Sequence, residues 1–359
     1  MRLIELRLEN LRNISSLELQ LDPRINLFIG SNGAGKTSIL EGAYLLSHAQ
    51  SFRSGQINAL IGRGAEHFSV FARVERHAGP VQIGLTRAAG SWSAKVNNDD
   101  ASSLGRMLRE YAQVCFEPGT HALISGGSEE RRRFLDWGAF HVEPEFMARV
   151  RAFRRALLQR NTLLKQGCRD LELDWWDKEV ARAGESLSTS RSDYFHRYSP
   201  ALIEAMACYL PELGEASTRY SQGWPEDMSL EQALKETRGS DQARGFTSRG
   251  PHRTDWGIQF ALAPQREHLS RGQEKLCALA CVLAQARCFA DSRGEWPVIA
   301  LDDLSSELDV AHQGIVVDTL SSCGAQILIS AIDIPACIRA AGVPARVFHV
   351  EHGKVRTLL

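Results

Sequence analysis

Hydrophobic and polar residues alternate at the start of the chain, in two runs on either side of Glu9 and Asn10. A period of two places one face of a strand in the core, so these runs predict a β-hairpin or two adjacent strands. The next run, INLFI, is apolar throughout, which is typical of a central strand buried on both faces. From Lys36 to Leu46 the apolar positions recur at helical spacing. The pattern therefore predicts a strand, a glycine-rich loop and a helix in succession.

The pattern changes along the rest of the chain. Short alternating runs between residues 69 and 96 predict antiparallel strands, whereas helical periodicity dominates from about 129 to 235. The run KLCALACVLAQARCFA is apolar almost all round, as expected of a helix inside the protein. The runs VIAL and QILIS predict two more central strands. We therefore predict an α/β fold in which residues 1–120 and 245–359 form one domain and residues 121–244 form a helical insertion.

Composition sets limits on the class of protein. A chain of 359 residues with 43% hydrophobic side chains can bury a sizeable core. The formal net charge is −1, so binding to nucleic acid would need a local basic patch. No apolar run reaches the about 20 residues that span a bilayer, and no secretion signal is visible, so we expect a cytoplasmic protein without membrane contact. The cysteines form no Cys-x-x-Cys pair, which argues against a zinc site or a disulfide framework.

The segment GSNGAGKT satisfies the phosphate-loop pattern in the strand, loop and helix context that this motif requires. Glycines let the backbone curl so that amide N–H groups point at phosphates, and the positive end of the following helix adds to the attraction. Lys36 is expected to contact the β- and γ-phosphates of ATP, and Thr37 the Mg²⁺. The alternative, a glycine-rich turn without function, is disfavoured by that context. The predicted nucleotide contacts here are Gly30, Ser31, Asn32, Gly33, Ala34, Gly35, Lys36, Thr37 and Ser38.

Two acidic residues follow the apolar run VIAL, which delivers Asp302 and Asp303 to the carboxyl edge of the predicted sheet. Asp302 is predicted to hold Mg²⁺ through water, together with Thr37. Asp303 is predicted to be the catalytic carboxylate that polarises the attacking water. Taken alone, the segment is equally typical of a strand that ends in an acidic turn, and the phosphate loop favours the functional interpretation.

The segments LSRGQ, residues 269–273, and SSELD, residues 305–309, stand on either side of the acidic pair. Phosphate loop, LSRGQ, acidic pair and SSELD follow the order of the motifs in ABC-type ATPases, which the chain resembles. In that superfamily the signature residues cap the γ-phosphate bound by a partner's phosphate loop. The resemblance therefore implies an ATP-sandwiched homodimer in which Ser270, Gly272 and Gln273 contact the partner's nucleotide and Ser270 takes a catalytic part.

Three positions depart from the common ABC pattern. Arg271 stands where Gly is commoner and adds a cation near the nucleotide or the dimer seam. Asp303 stands where Glu is usual, and because its side chain is shorter by one methylene we expect slow turnover. No His follows QILIS at the usual switch position, and Ser330 is the only nearby hydroxyl.

Basic residues cluster in the predicted helical insertion. The spacing at positions 151, 154 and 155 places three arginines on one side of a helix, as a positive stripe for a phosphate backbone. A solvated helix face balanced by nearby glutamates is the alternative, and charge alone does not decide between the two. Trp175 and Trp176 are predicted to pack in the core rather than to stack on bases. The candidate DNA contacts are Arg131, Arg132, Arg133, Arg151, Arg154 and Arg155.

Across essentially the whole chain, several blocks are similar to those of the RecF family, bacterial recombination-mediator ATPases of the ABC/SMC-like superfamily. The blocks are LRLENLRNI, SFRSG (residues 51–55), GGSEERRRFLDW (126–137), QRNTLLK (159–165), GPHRTD (250–255) and LSRGQEKL. Leu11 stands where an aromatic residue is common, and Thr254 replaces the Asp usual in GPHRDD. The role of the GPHRTD block therefore stays open.

The resemblance implies an ATPase head like that of Rad50 and SMC proteins, with an inserted helical arm. It also implies ATP-driven dimerisation on DNA, slow DNA-dependent ATP hydrolysis, and support of RecA loading at single-strand gaps in repair and replication restart. The implied partners are double-stranded DNA and gapped or single-stranded junctions, RecR and RecO, and indirectly RecA. Another ABC-type ATPase, transporter-like or SMC/Rad50-like, and an ATP-binding scaffold without hydrolysis are the alternatives. The helical insertion disfavours a transporter subunit. The lack of a long heptad run or of a Cys-x-x-Cys zinc hook disfavours SMC and Rad50 proteins. A MutS-like protein is disfavoured because the phosphate loop lies near the start of the chain.

Overall fold

The computed structural model describes residues 1–53, 57–88, 90–167, 170–265, 268–342 and 344–358. The chain divides into two compact units. The first unit consists of Met1–His121 with Ser270–Leu359, and the second unit of Ala122–Leu269. The second unit ends at Leu269, whereas the predicted helical insertion ends at residue 244. The boundary lies later because residues 245–269 pack with the second unit.

Both units combine strands and helices. Within the described residues the strands are β1 (Arg2–Leu11), β2 (Ile14–Gln20), β3 (Ile25–Ile29), β4 (His67–Glu75), β5 (Val81–Ala88), β6 (Ser91–Val96), β7 (Asp99–Asp100), β8 (Gln113–Phe116), β9 (Ala216–Ser221), β10 (Asp255–Phe260), β11 (Val298–Leu301), β12 (Ile327–Ala331), β13 (Ala345–Glu351) and β14 (Lys354–Thr357). The helices are α1 (Lys36–His48), α2 (Leu104–Leu108), α3 (Ala122–Ser125), α4 (Ser128–Val142), α5 (Phe146–Gln166), α6 (Asp170–Tyr209), α7 (Leu230–Arg244), α8 (Arg271–Arg293), α9 (Leu304–Glu307), α10 (Val310–Cys323) and α11 (Ala336–Ala341). None of these helices is long and apolar enough to cross a membrane within the described residues.

The first unit contains an antiparallel sheet with the strand order β2-β1-β4-β5-β6-β7. The predicted hairpin is confirmed as β1 and β2, but its turn follows Leu11, which still pairs with Ile14, instead of lying at Glu9 and Asn10. The alternating runs predicted between residues 69 and 96 are confirmed as β4, β5 and β6.

The second sheet of the first unit has the order β14-β13-β3-β12-β11-β8. Its neighbours from β13 to β8 are all parallel, and only β14 runs antiparallel. The predicted central strands β3, β11 and β12 are buried along nearly their whole length. Because parallel strands end at the same edge of a sheet, the segments after β3, β8, β11 and β12 converge there.

Helix α1 contacts strands of both sheets and carries an apolar surface into the core between them. Ile39, Leu40, Ala43 and Leu45 are fully buried. Complete burial of a large aliphatic side chain stabilises a fold by about 1.5–3 kcal/mol. The packing therefore anchors α1, and with it the residues at its start, beginning with Lys36. Helix α8 is buried on nearly every side, as predicted.

The second unit is held together by a buried charge network around Arg160, which is 0% exposed. Its guanidinium donates to Asp177 at 2.7 Å, to Asp241 at 2.8 Å and to Thr247 at 2.8 Å. These partners lie on α6, on α7 and in the loop before β10. Removing one member of such a buried pair costs about 3–5 kcal/mol, so the network ties the loop firmly to the helices. Pairing of β10 with β9 adds to this, which explains why residues 245–269 belong to the second unit.

The prediction that both tryptophans pack in the core is wrong for Trp175. Its side chain is 58% exposed, and its ring contacts Trp176 edge-on with a centroid distance of 4.4 Å. On α6 the buried positions nearby are Leu173 and Asp177, which place Trp175 on the solvent side of the helix.

Candidate active site

The phosphate loop joins the carboxyl end of β3 to α1. Gly30 adopts a φ of +151°, and a Cβ there would lie 2.2 Å from the carbonyl oxygen of Val350, so only glycine fits. Gly35 caps α1 with a φ of 116°. The loop thus lies at the positive end of α1, where backbone N–H groups without helical partners attract an anion.

Lys36 is folded into this loop. Its Nζ donates to the carbonyl oxygens of Gly30 at 2.7 Å and Ser31 at 2.9 Å. Burial lowers the pKa of Lys36, and the carboxylates of Asp303 and Asp302 oppose that shift. The ammonium therefore lies between the loop and the acidic pair, which is compatible with the predicted contact to the β- and γ-phosphates.

Asp302 lies directly after β11 at the carboxyl edge of the parallel sheet and is 4% exposed. Its Oδ1 accepts hydrogen bonds from Thr37 Oγ1 at 2.9 Å and from Ser330 Oγ at 2.6 Å. Burial raises the pKa of Asp302, and the two hydrogen bonds oppose that shift. The fold therefore brings the two predicted metal ligands, Thr37 and Asp302, into direct contact.

Asp303 has a left-handed backbone conformation, with φ 54° and ψ 43°. This conformation costs a residue with a side chain about 1–2 kcal/mol. It is held by the N–H of Asp303, which donates to Ser330 Oγ at 2.9 Å. The Oδ1 of Asp303 is buried and accepts no hydrogen bond from any described residue. Asp303 as a residue also lines the open cleft at this edge of the sheet, where its carboxylate can accept a hydrogen bond from water.

The oxygen atoms at this edge fit Mg²⁺. Such an ion is usually held by one or two protein oxygens, with phosphate oxygens and water completing an octahedron. Thr37 Oγ1 and Asp302 Oδ1 supply two protein oxygens. In the described part of the chain, no group of three or more His, Cys, Asp or Glu side chains could hold a metal ion by itself. Two protein oxygens leave the remaining positions of an octahedron to phosphate oxygens and water, so the site suits a metal that binds together with a nucleotide.

These side chains line an open cleft with a volume of about 750 Å³. Of the predicted phosphate-loop contacts, Gly30, Ser31 and Ala34 lie outside its lining and the others lie within it. The lining residues that sequence patterns did not single out as site residues are Arg12, Asn13, Phe52, Arg53, Ala59, Ile61, Glu117 and Pro118. Arg12 and Asn13 belong to the LRNI turn, and Phe52 and Arg53 to the SFRSG block, whose Ser54 and Gly55 lie outside the described residues.

Glu117 is a candidate functional residue that sequence reasoning missed. Phe116 lies opposite Leu301 in the parallel pairing of β8 with β11, so Glu117 emerges beside Asp302. Burial raises the pKa of the Glu117 carboxyl, Asp302 raises it further, and a hydrogen bond from the N–H of Gly119 opposes the shift. The sequence shows an acidic residue at this position, but it does not show that β8 pairs with β11, which is what places Glu117 beside Asp302.

The signature segment forms the start of α8. Ser270 is the N-cap: its Oγ accepts from the N–H of Gln273 at 3.3 Å, and Oε1 of Gln273 accepts from the N–H of Ser270 at 3.0 Å. Ser270, Arg271 and Gly272 are exposed. None of these residues lines the chain's own cleft. The structure thus brings Lys36, Thr37 and the acidic pair together but leaves Ser270, Gly272 and Gln273 apart from them.

Two of the arginines predicted to contact DNA are engaged inside the second unit. Arg131 forms a bidentate ion pair with Asp255 at 2.7 and 3.0 Å. Arg132 donates to the carbonyl oxygen of Thr254 at 2.8 Å. Both guanidinium groups hold the β10 segment in place, so the structure does not favour them as DNA contacts.

The remaining candidates differ among themselves. Arg133 is exposed, but it pairs with Glu129 and Glu130 on the same helix. The other three lie exposed on α5, where no described acidic side chain forms an ion pair with them: Arg151, Arg154 and Arg155. These three form the basic stripe of α5.

The GPHRTD block is a junction within the second unit. Thr254 Oγ1 donates to the carbonyl oxygen of Gln222 at 2.9 Å, and Arg191 donates to that of Pro251 at 2.5 Å. His252 Nε2 lies 2.9 Å from the carbonyl oxygen of Thr247, and burial lowers the pKa of His252 to about 4. The imidazole is therefore neutral near pH 7. The hydrogen bonds of the block join backbone segments of the second unit, which is a structural role.

A phosphate loop and an acidic pair at one edge of a parallel sheet, with a signature helix in the same unit, make the first unit an ABC-type P-loop ATPase head. The model of the family described as RecF/RecN/SMC N terminal domain matches residues 2–356. The Smc head bound to the C-winged helix domain of ScpA has the same fold, with a TM-score of 0.59 over 100% of this chain and 98% of that chain at 17% identity. The predicted fold class is confirmed.

Two further proteins are more similar. The DNA replication and repair protein RecF of Xanthomonas euvesicatoria pv. vesicatoria (strain 85-10) is 45% identical over 361 residues, which cover 99% of this chain and 98% of that protein. The solved structure of the recombination mediator protein RecF–ATP in the RecFOR pathway matches 100% of this chain and 98% of that chain, with a TM-score of 0.90 at 24% identity. The chain belongs to the RecF family of DNA replication and repair proteins, as its sequence blocks predicted.

Proposed function

We propose that this chain is an ATP-driven switch that pairs with a second copy of itself on DNA. ATP and Mg²⁺ occupy the cleft of each copy, and the signature residues of one copy cap the nucleotide of the other. One observation carries the proposal: Ser270, Arg271 and Gly272 are exposed at the start of α8 and do not line the chain's own cleft. Signature residues placed in this way are available to a nucleotide held by another copy.

Within each cleft the residues have separate roles. Phosphate-loop N–H groups and Lys36 bind the phosphates, and Thr37 and Asp302 hold Mg²⁺. When bound by these residues, Mg²⁺ would neutralise the charge that develops on the phosphates during transfer. The carboxylate of Asp303, which lines the cleft, accepts a proton of the attacking water and orients it. Because Asp303 has a shorter reach than Glu, hydrolysis is slow, which suits a switch that must persist between states.

ATP shifts the monomer–dimer equilibrium only by its differential affinity for the two states. In this proposal that difference consists of the contacts from Ser270 and Gly272 to the γ-phosphate, which ADP lacks. Hydrolysis therefore removes the group that joins the two copies, and they separate.

Sedimentation velocity of the wild-type chain is expected to show dimers with ATP and Mg²⁺, and monomers with ADP. Gapped duplex DNA should increase the dimer fraction. Lys36→Met should stay monomeric in ATP and bind ATP about 10- to 100-fold more weakly, because hydrogen bonds to charged groups contribute about 1.5–3 kcal/mol. A wild-type chain that sediments identically with ATP and with ADP would exclude the switch.

We further propose that the basic stripe of α5 contacts the DNA backbone, at double-stranded DNA and at gapped or single-stranded junctions. Its three arginines are exposed and have no acidic partner among the described residues, so their charges are available to phosphates. Because one relative is described in the RecFOR pathway, RecR and RecO are the proposed protein partners. Loading of RecA at single-strand gaps, in the cytoplasm, is the step that the switch would serve.

Reversal of Arg151, Arg154 and Arg155 to Glu is expected to weaken DNA binding in the presence of ATP. The slope of log K against log salt is negative, and each lost phosphate contact reduces its magnitude by about 0.9, so the slope of the triple variant should be shallower by up to about 3. Fluorescence anisotropy of labelled duplex and gapped DNA over a range of salt concentrations measures both effects.

The matched control reverses Arg2, Arg24 and Arg106, three exposed arginines of the first unit, and changes the net charge by the same amount. It should retain most of the affinity. Equal losses in the two triple variants would mean that net charge, and not the basic stripe of α5, determines binding.

A further inference from the structure

Ser330 lies near the carboxyl end of β12 and contacts both acidic residues of the cleft. Its hydroxyl donates to Asp302 Oδ1 at 2.6 Å and accepts the N–H of Asp303 at 2.9 Å. The side chain is fully buried, and the residue also lines the cleft. We propose that Ser330 is a positioning residue that sets both carboxylates in the arrangement needed for metal binding and hydrolysis. The hydrolytic part rests on the proposed function.

The strand order explains why a hydroxyl at this position reaches both residues. β12 lies between β3, which leads into the phosphate loop, and β11, which leads into the acidic pair. Ser330 is opposite Phe28 of β3, and its neighbour Ile329 is opposite Leu301 of β11. The side chain of Ser330 therefore lies beside Asp302, at the carboxyl edge of the sheet where β3 leads into the phosphate loop and β11 leads into the acidic pair.

The directions of the two hydrogen bonds follow from chemistry. A backbone N–H can only donate, so the oxygen of Ser330 must accept from Asp303. The single hydroxyl proton of Ser330 is then free to point at Asp302, whose carboxylate can only accept while it is ionised. Neither alanine nor any apolar residue could make this pair of bonds.

Each bond constrains one functional group. The bond from Asp303 supports its left-handed backbone, which determines where the Asp303 carboxylate lies in the cleft. The bond to Asp302 acts on the same Oδ1 that Thr37 contacts. Ser330 therefore orients the predicted metal ligand and the predicted water-activating carboxylate together, without itself touching the reacting atoms.

The test is Ser330→Ala, with Ser47→Ala as the matched control. Ser47 is also a buried serine of the first unit whose hydroxyl accepts a backbone N–H, from Gln113 at 3.0 Å, but it does not line the cleft. Two sets of measurements are made. The first is the dissociation constant of ATP by calorimetry, in Mg²⁺ and in EDTA, and the second is kcat and KM for phosphate release.

We expect Ser330→Ala to bind ATP in EDTA like the wild type but to lose about 10- to 100-fold of the gain in affinity that Mg²⁺ provides, as is typical when a metal ligand loses its hydrogen-bond partner. Its kcat should fall by a similar factor with little change in KM. Ser47→Ala should match the wild type in both readouts. Ser330→Thr, which keeps the hydroxyl, should recover most of the Mg²⁺ effect.

Two outcomes would overturn the proposal. In one, Ser330→Ala keeps the wild-type Mg²⁺ effect and kcat. In the other, its ATP affinity falls equally in EDTA and in Mg²⁺, which would indicate a general structural role. The calorimetric readout requires neither hydrolysis nor dimers, so a wild-type chain that failed to hydrolyse ATP would contradict the proposed function and leave the role of Ser330 in metal binding open to the same measurement.

Discussion

Asp303→Asn is expected to lower the rate of phosphate release by about 10²–10⁴-fold, the usual contribution of a positioned general base, while ATP binding stays close to that of the wild type. An amide has the size of the carboxylate but does not accept a proton from water. Asn also tolerates the left-handed conformation that Asp303 adopts, so the backbone and its bond to Ser330 should persist. Because hydrolysis is blocked, ATP-bound dimers should accumulate. Steady-state phosphate release and sedimentation in ATP measure the two effects.

Asp333→Asn is the control for this substitution. Asp333 is an exposed aspartate of the same unit, close in sequence to the end of β12, and it does not line the cleft. Its variant should hydrolyse ATP at the wild-type rate. If Asp303→Asn did the same, the water-activating group would have to be sought elsewhere in the cleft, with Glu117 as the next carboxylate to replace.

Ser270→Arg is expected to abolish ATP-dependent dimerisation and to leave ATP binding by the monomer nearly unchanged. Ser270 does not line its own cleft, so a large cation there should not disturb the nucleotide held by the same copy. In the dimer the added side chain would instead meet the partner's nucleotide site without space for it. Forcing extra side-chain volume into a packed contact costs about 1–3 kcal/mol, and loss of the Ser270 bond to the charged phosphate adds about 1.5–3 kcal/mol, so dimerisation should weaken by about 100-fold or more in sedimentation with ATP.

The chain provides a close control for the loss of the helix cap. Ser229 caps α7 with the same reciprocal pair of hydrogen bonds, made with Gln232, that Ser270 makes with Gln273. Ser229→Arg should therefore lose about the same 0.5–2 kcal/mol of helix stability. Dimerisation should be retained in Ser229→Arg. If both variants lost ATP-dependent dimerisation, the loss would follow from reduced helix stability. If both variants still dimerised, the result would contradict the proposal that Ser270 caps a partner's nucleotide.

The parts of the candidate site that could be predicted are contiguous in the chain. The phosphate loop from Gly30 to Thr37 requires only a strand, a tight glycine turn and a helix, all of which are local. Asp302 and Asp303 follow an apolar run that only a central strand would use. Local rules also explain the N-cap at Ser270, although its use as a cap was not foreseen.

The parts that could not be predicted depend on which strands are neighbours. Glu117 stands beside Asp302 because β8 pairs with β11, and Ser330 stands between the two nucleotide segments because β12 lies between β3 and β11. Nothing in the hydrophobic pattern of a buried parallel strand indicates its neighbour, since all such strands are apolar on both faces.

Charge was the least informative property of the sequence, because it does not reveal partners. Arg131 and Arg151 are both arginines of the predicted insertion. Arg131 is bound to Asp255, far away in the sequence, whereas Arg151 faces solvent. The same limitation applies to the domain boundary, which the buried bond of Arg160 to Thr247 and the pairing of β10 with β9 move beyond residue 244.

By itself, the sequence determined that this chain has an ATPase head of the ABC type with a helical insertion, and that it resembles the RecF family. Those conclusions rest on short motifs and on periodicity, which reflect local backbone requirements and burial. Only the tertiary structure decided that Ser330 and Glu117 stand beside Thr37 and the acidic pair at one edge of the sheet. The physical reason is that such contacts join distant segments, and the strand order that creates them is a property of the whole fold.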